Sequence, residues 1–146
     1  MKRQLIGVAA LALSLQTYAA DDAAWMRYPA ISPDGTQIAF SFKGDIYTVA
    51  TNGGRANQIT TNPAHDTRPI WSPDGKQIAF ASDRLGGMDI YLVDKEGGVP
   101  IRLTTHSGNE TPLSFKDNAH ILSKPTSCPL PTTCSLPRPN SRKYMK

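Results

Sequence analysis

The chain has 146 residues, the length of one domain, and a formal net charge of +4. That charge is unevenly placed: residues 1–19 carry 2 basic and no acidic side chains, residues 20–115 carry 8 Lys/Arg against 11 Asp/Glu (−3), and residues 116–146 carry 6 against 1 (+5). The central region is therefore mildly acidic, which excludes a basic face for nucleic acid there and leaves charge silent about partners.

In chain order, the first element is an export leader. Lys2 and Arg3 precede an apolar run from Leu5 to Leu15, and Thr17-Tyr18-Ala19 puts small residues at the two positions that matter for cleavage. The expected cut follows Ala19. The apolar run is too short to span a bilayer, and no cysteine near the cut indicates a lipid anchor, so no stable membrane anchor is expected.

Next come two near-copies of one phrase, YPAISPDGTQIAF at 28–40 and RPIWSPDGKQIAF at 68–80. Each joins apolar runs through Ser-Pro-Asp-Gly, a turn in which proline presets φ and glycine accepts the left-handed conformation. The match continues beyond the phrase. Ile38-Ala39-Phe40 repeats as Ile78-Ala79-Phe80 at a spacing of 40, and Asp45-Ile46-Tyr47 as Asp89-Ile90-Tyr91 at 44. The four extra residues fall between these blocks, where Lys43-Gly44 in the first copy becomes Asp83-Arg84-Leu85-Gly86-Gly87 in the second. Gly53-Gly54 then matches Gly97-Gly98, and Gln58-Ile59-Thr60 matches Arg102-Leu103-Thr104. A third copy opens with Thr111 and Phe115 in the places of Thr67 and Trp71, turns at Asp117-Asn118 and resumes at His120-Ile121-Leu122.

Each unit holds four short strand candidates, which in the second copy are 68–71, 77–82, 89–94 and 100–104. Their Ile, Val, Phe, Tyr and Thr content, with Asp-Gly and Gly-Gly breaks, suits hairpins. Runs such as Ile90-Tyr91-Leu92-Val93 are apolar on both faces, so both sides of the sheet are covered. A four-stranded antiparallel unit of 40–44 residues covered on both faces is a β-propeller blade. The expected fold is all-β, about two and a half blades of an incomplete propeller. Such a chain leaves stacking surfaces uncovered and is expected to be marginal or aggregation-prone alone.

The string WSPDGKQIAFASDR…MDIYLVD…GG…RLT resembles the WD40-like repeat called PD40. That repeat occurs in the propellers of TolB-type translocation proteins, tricorn-type proteases and some prolyl-oligopeptidase-like enzymes. The stretch WMRYPAISPDGTQIAFSFKGDIY is similar to the opening of bacterial tricorn protease homologues, and the resemblance covers residues 25–122. It implies a propeller that gates or filters peptides ahead of a serine peptidase core of the S41 class. Peptides or proteins would be its partners. The family's propellers carry no nucleophile, so the resemblance transfers no catalytic residue, and the chain itself is expected not to be an enzyme. The alternatives are a TolB-like periplasmic binding propeller and a non-functional truncated product.

No catalytic, cofactor-binding or metal-binding residue is assigned from the sequence. His65 and His106 align with Asn109 and Asn62, so neither belongs to the repeating framework, and with His120 they read as loop histidines. Asp83, Arg84 and Asp89 read as a small polar cluster pinning the long turn, with calcium as the alternative. Asn109-Glu110-Thr111 fits a glycosylation triplet of a kind that arises often by chance. Ser32 and Ser72 open their turns, where the hydroxyl is expected to bond local backbone. No Gly-x-Ser-x-Gly elbow is present.

Residues 123–146 change character, holding five of the twelve prolines and both cysteines, Cys128 and Cys134. The domain reading is therefore a leader at 1–19, partial propeller at 20–122, and a basic Pro-rich tail at 123–146. Loss of repeat grammar inside a strand reads as out-of-frame translation after Leu122. A genuine tail, in which the two cysteines pair in an oxidising compartment, is the alternative.

Overall fold

The computed structural model describes residues 25–105, 108–126 and 130–136; the expected leader, His106 and Cys128 lie outside the described residues. Three antiparallel sheets follow one another along the chain. The first holds β1 (Arg27–Ile31), β2 (Gln37–Phe42), β3 (Asp45–Ala50) and β4 (Asn57–Gln58). The second holds β5 (Asp66–Trp71), β6 (Gln77–Leu85), β7 (Gly87–Asp94) and β8 (Ile101–Arg102). The third holds β9 (Glu110–Asp117), β10 (His120–Pro125) and β11 (Thr132–Ser135). Strands pair in chain order in each sheet, and β1, β5 and β9 approach one another along the inner edge. These are propeller blades, two with four strands and one with three.

The repeated phrase forms the same turn twice. Ser32 Oγ donates to Asp34 Oδ1 at 2.6 Å and accepts from the Gln37 N–H at 2.9 Å. Ser72, Asp74 and Gln77 repeat this at 2.7 and 2.9 Å. Gly35 and Gly75 close the turns at φ 71° and 66°, where a Cβ would be strained. The Ser32 hydroxyl, followed by the Thr36 N–H and hydroxyl, holds the exposed Asp34 carboxyl at about 2. A carboxyl depressed in the folded state stabilises above its unfolded value of about 4, and that contribution fades as pH falls through its folded value. Thermal melts at stepped pH should therefore show stability falling from about pH 4 toward about pH 2. Asp34→Asn should flatten that acid limb; an unchanged slope would mean that the turn retains its bonds when Asp34 is protonated.

Side chains alternate between the two faces of each blade, and each inter-blade gap fills with one core. Ala39, Ile46 and Ile59 of the first blade meet Trp71, Ile78, Phe80, Tyr91 and Val93 of the second. Ala79, Ile90 and Leu92 on the other face of the second blade meet Ile121, with Phe115 and Leu136 packed alongside. The Trp71 indole N–H donates to the Ala30 carbonyl at 3.0 Å, tying β5 to β1. A second device recurs within the blades. The Thr60 hydroxyl accepts from the Ile46 N–H at 2.9 Å and donates to Asp45 at 3.2 Å, and Thr104 does the same for Ile90 and Asp89 at 3.0 and 3.3 Å.

Two local readings of the sequence are corrected. The four-residue insertion is not simply a loop: after a bulge the ladder resumes, with Leu85 opposite Gly87, so the β6–β7 hairpin is lengthened. Its polar residues also separate. Arg84 Nη2 bonds both oxygens of the fully buried Asp66 at 2.8 and 2.9 Å, whereas Asp89 pairs with Arg102 at 2.6 Å and Asp83 accepts from the His65 N–H at 2.8 Å.

The third sheet continues past Leu122. β10 runs to Pro125, and Thr132–Ser135 pairs with it from Ser123 to His120. Backbone pairing needs only extended residues, and Thr, Cys and Ser tolerate it. Side-chain packing does change: the stacked pairs Phe40–Tyr47 and Phe80–Tyr91, with centroids 5.9 and 6.0 Å apart, give way to a Ser123–Thr132 hydroxyl contact at 2.8 Å.

Candidate functional site

Both copies of the phrase place a proline one residue into the inner strand, at Pro29 and Pro69. Proline has no N–H to give the ladder, so a bulge forms at each: pairing skips from Arg27 to Ala30 and from Thr67 to Ile70. The residue before each proline adopts positive φ, 53° at Tyr28 and 55° at Arg68, strained for non-glycine residues and a conformation that often accompanies functional sites. The Arg68 guanidinium lies over the Tyr28 ring, 4.4 Å from its centroid. In the third blade Pro112 occupies this position, and the irregularity moves to pass over Leu113.

A cavity of about 820 Å³ opens at this place. Trp25, Tyr28, Phe42 and Met88 supply apolar wall, Arg27, Lys43 and Arg68 supply positive charge, and no carboxylate lines it. Lys43 lies over Phe42 at 5.0 Å in the tight β2–β3 turn. Ser41 is buried in the wall, and its hydroxyl has no hydrogen-bond partner among the described residues. His65 also lines the cavity but makes no hydrogen bond to Ser41, so the two do not form an activated pair as the site stands. The arrangement suits contact with a chain through aromatic faces, cations and one buried hydroxyl.

The residues weighed in the sequence disperse. Ser32 and Ser72 are held in their turns. His120 Nδ1 meets Asp117 Oδ1 at 2.9 Å, and Asp117 is held below the usual carboxylate range by the Ala119 N–H and then by His120. Asn109 Oδ1 accepts from the Met88 N–H at 2.9 Å, capping the long hairpin. Cys134 donates weakly to the Leu103 carbonyl at 3.5 Å, and burial pushes its thiol up. Among the described residues no three His, Cys, Asp or Glu gather as metal ligands. Tyr28, Arg68 and Ser41 were not legible as a site, although the X-Pro step preceding each repeated turn was a signal for the first two.

A family model described as the tricorn protease N-terminal beta propeller domain matches residues 23–132. The chain belongs to that family. Among curated relatives, this tricorn-type propeller chain is 33% identical over 86 residues to tricorn protease homolog 1 of Streptomyces coelicolor, covering 59% of this chain and 8% of that protein. It is 34% identical over 106 residues to the uncharacterized peptidase YuxL of Bacillus subtilis, covering 64% of this chain and 16% of that protein. The chain thus spans less than a fifth of the length of either relative. Among solved structures, TolB from Acinetobacter baumannii superposes with a TM-score of 0.56 at 28% identity, over 69% of this chain and 27% of that one. The tricorn protease superposes at 0.59 with 23% identity, over 68% and 10%, a likeness of fold.

Proposed function

We propose that this chain is the non-catalytic N-terminal propeller portion of an exported tricorn-like serine peptidase of the S41 class, and that it gates peptides on their way to a catalytic core. The match of residues 23–132 to the tricorn N-terminal propeller carries this reading. The strained Tyr28–Arg68 pair at the inner edge supports it, because a chain passing that edge meets these side chains. Residues 1–19 act as the leader, with the mature protein starting at Ala20, and the serine-, threonine- and proline-rich stretch after Leu122 reflects a shift of reading frame.

Peptide hydrolysis needs an activated nucleophile, a base within hydrogen-bond reach and an oxyanion site. Purified residues 20–146 are therefore expected to show no turnover of a fluorogenic peptide above a buffer control. Cleavage lost on changing one serine of this chain would overturn the assignment. Reading the gene in all frames beyond codon 122 tests the parent: further blades and a serine-containing peptidase core are expected, and N-terminal sequencing of exported protein should begin at Ala20.

A further inference from the structure

The lengthened β6–β7 hairpin creates a second recess, away from the Tyr28–Arg68 site and independent of the function proposed above. This groove of about 490 Å³ runs along β7, from Arg84 and Leu85 at the hairpin to Gly98 and Pro100 at the opposite turn, with Thr61 and Pro63 of the preceding blade on its other bank. Its lips are apolar and exposed, Leu85 by 64% and Val99 by 91%. Its floor is Tyr91, 3% exposed, with the Arg84 guanidinium 4.5 Å from the ring centroid.

The polar groups of this floor limit what it can hold. Asp66 neutralises Arg84, whose Nε donates to Ser82 Oγ at 2.9 Å, so the floor offers a ligand no net charge. The Tyr91 hydroxyl is buried without a hydrogen-bond partner among the described residues. An unpartnered buried hydroxyl is costly, and an acceptor reaching it recovers that cost. The first blade has only the tight Lys43-Gly44 turn at the equivalent place, so Arg84 and Leu85 are contributions of the insertion.

We propose that this groove binds an extended, uncharged peptide segment. One backbone carbonyl accepts from the Tyr91 hydroxyl, and an apolar side chain lies between Leu85 and Val99. The length of the groove along a strand favours an extended chain, and the neutral floor favours an amide over a carboxylate.

The test is a titration of the isotope-labelled 146-residue chain with acetyl-Ala-Leu-Ala-amide, followed by backbone amide shifts. Saturable shifts at Thr61, Arg84, Leu85 and Val99 are expected, with Kd on the order of 1 mM. Tyr91→Phe should weaken binding about fivefold to tenfold while leaving thermal stability unchanged or raised, because it removes an unsatisfied hydroxyl. Leu85→Asp, an exposed lip substitution, should weaken binding without unfolding the chain. The free acid of the same peptide should bind more weakly than the amide. Overturning results are no saturation at about 20 mM, equal binding by wild type and Tyr91→Phe, shifts confined to Tyr28 and Arg68, or tighter binding of the free acid.

Discussion

Arg84→Ala is expected to cost about 3–5 kcal/mol of unfolding free energy, because it strands a carboxylate in the protein interior. Asp66 is fully buried, and the Arg84 side chain is only 13% exposed, so water replaces little of the lost pairing. The guanidinium also covers the rings of Tyr91 and Phe80 at 4.5 and 5.5 Å, contacts that alanine cannot make. Urea denaturation followed by the fluorescence of buried Trp71 measures the effect. Arg102→Ala in the same blade should cost less: Arg102 is 30% exposed, and Asp89 keeps the Thr104 hydroxyl at 3.3 Å. Replacing both buried partners, Asp66→Leu with Arg84→Met, should recover most of the loss, since apolar side chains of similar volume need no counter-charge. A loss below about 1 kcal/mol for Arg84→Ala would place the pair among solvent-screened surface bridges.

Phe80→Ala is expected to cost a similar amount, about 3–5 kcal/mol, by opening a cavity between the first and second blades. Phe80 is fully buried, stacks on Tyr91 and packs in the core with Ala39, Ile46 and Ile59. Phe40, its counterpart 40 residues earlier, makes the same stack with Tyr47 but borders an open cleft of about 490 Å³. Phe40→Ala should therefore cost clearly less, because part of its surroundings already resembles the space that the truncation leaves. Equal losses in the same urea assay would show that the first blade's outer face is covered in solution. Phe80→Ala combined with Arg84→Ala should fall short of the summed losses, since the two side chains touch.

Local chemistry by itself determined the repeat, the turns and the blade. Ser-Pro-Asp-Gly closes on its own hydroxyl and glycine, so Ser32 and Ser72 were readable as turn residues without knowledge of any neighbour. Apolar runs such as Ile90-Tyr91-Leu92-Val93 required two covered faces, which made stacked blades the solution. The partners of charged side chains could not be read in this way. Arg84 stands one residue from Asp83 and five from Asp89, yet it bonds Asp66, eighteen residues away, because inner and middle strands of one blade lie side by side. The Tyr28–Arg68 contact joins residues 40 apart on adjacent blades, and the phrase showed the two prolines without showing that both bulges face one cavity. Sequence adjacency governs turn hydrogen bonds of two to five residues; strand pairing and blade stacking govern contacts at larger separations, and only the tertiary structure decides which side chains meet there.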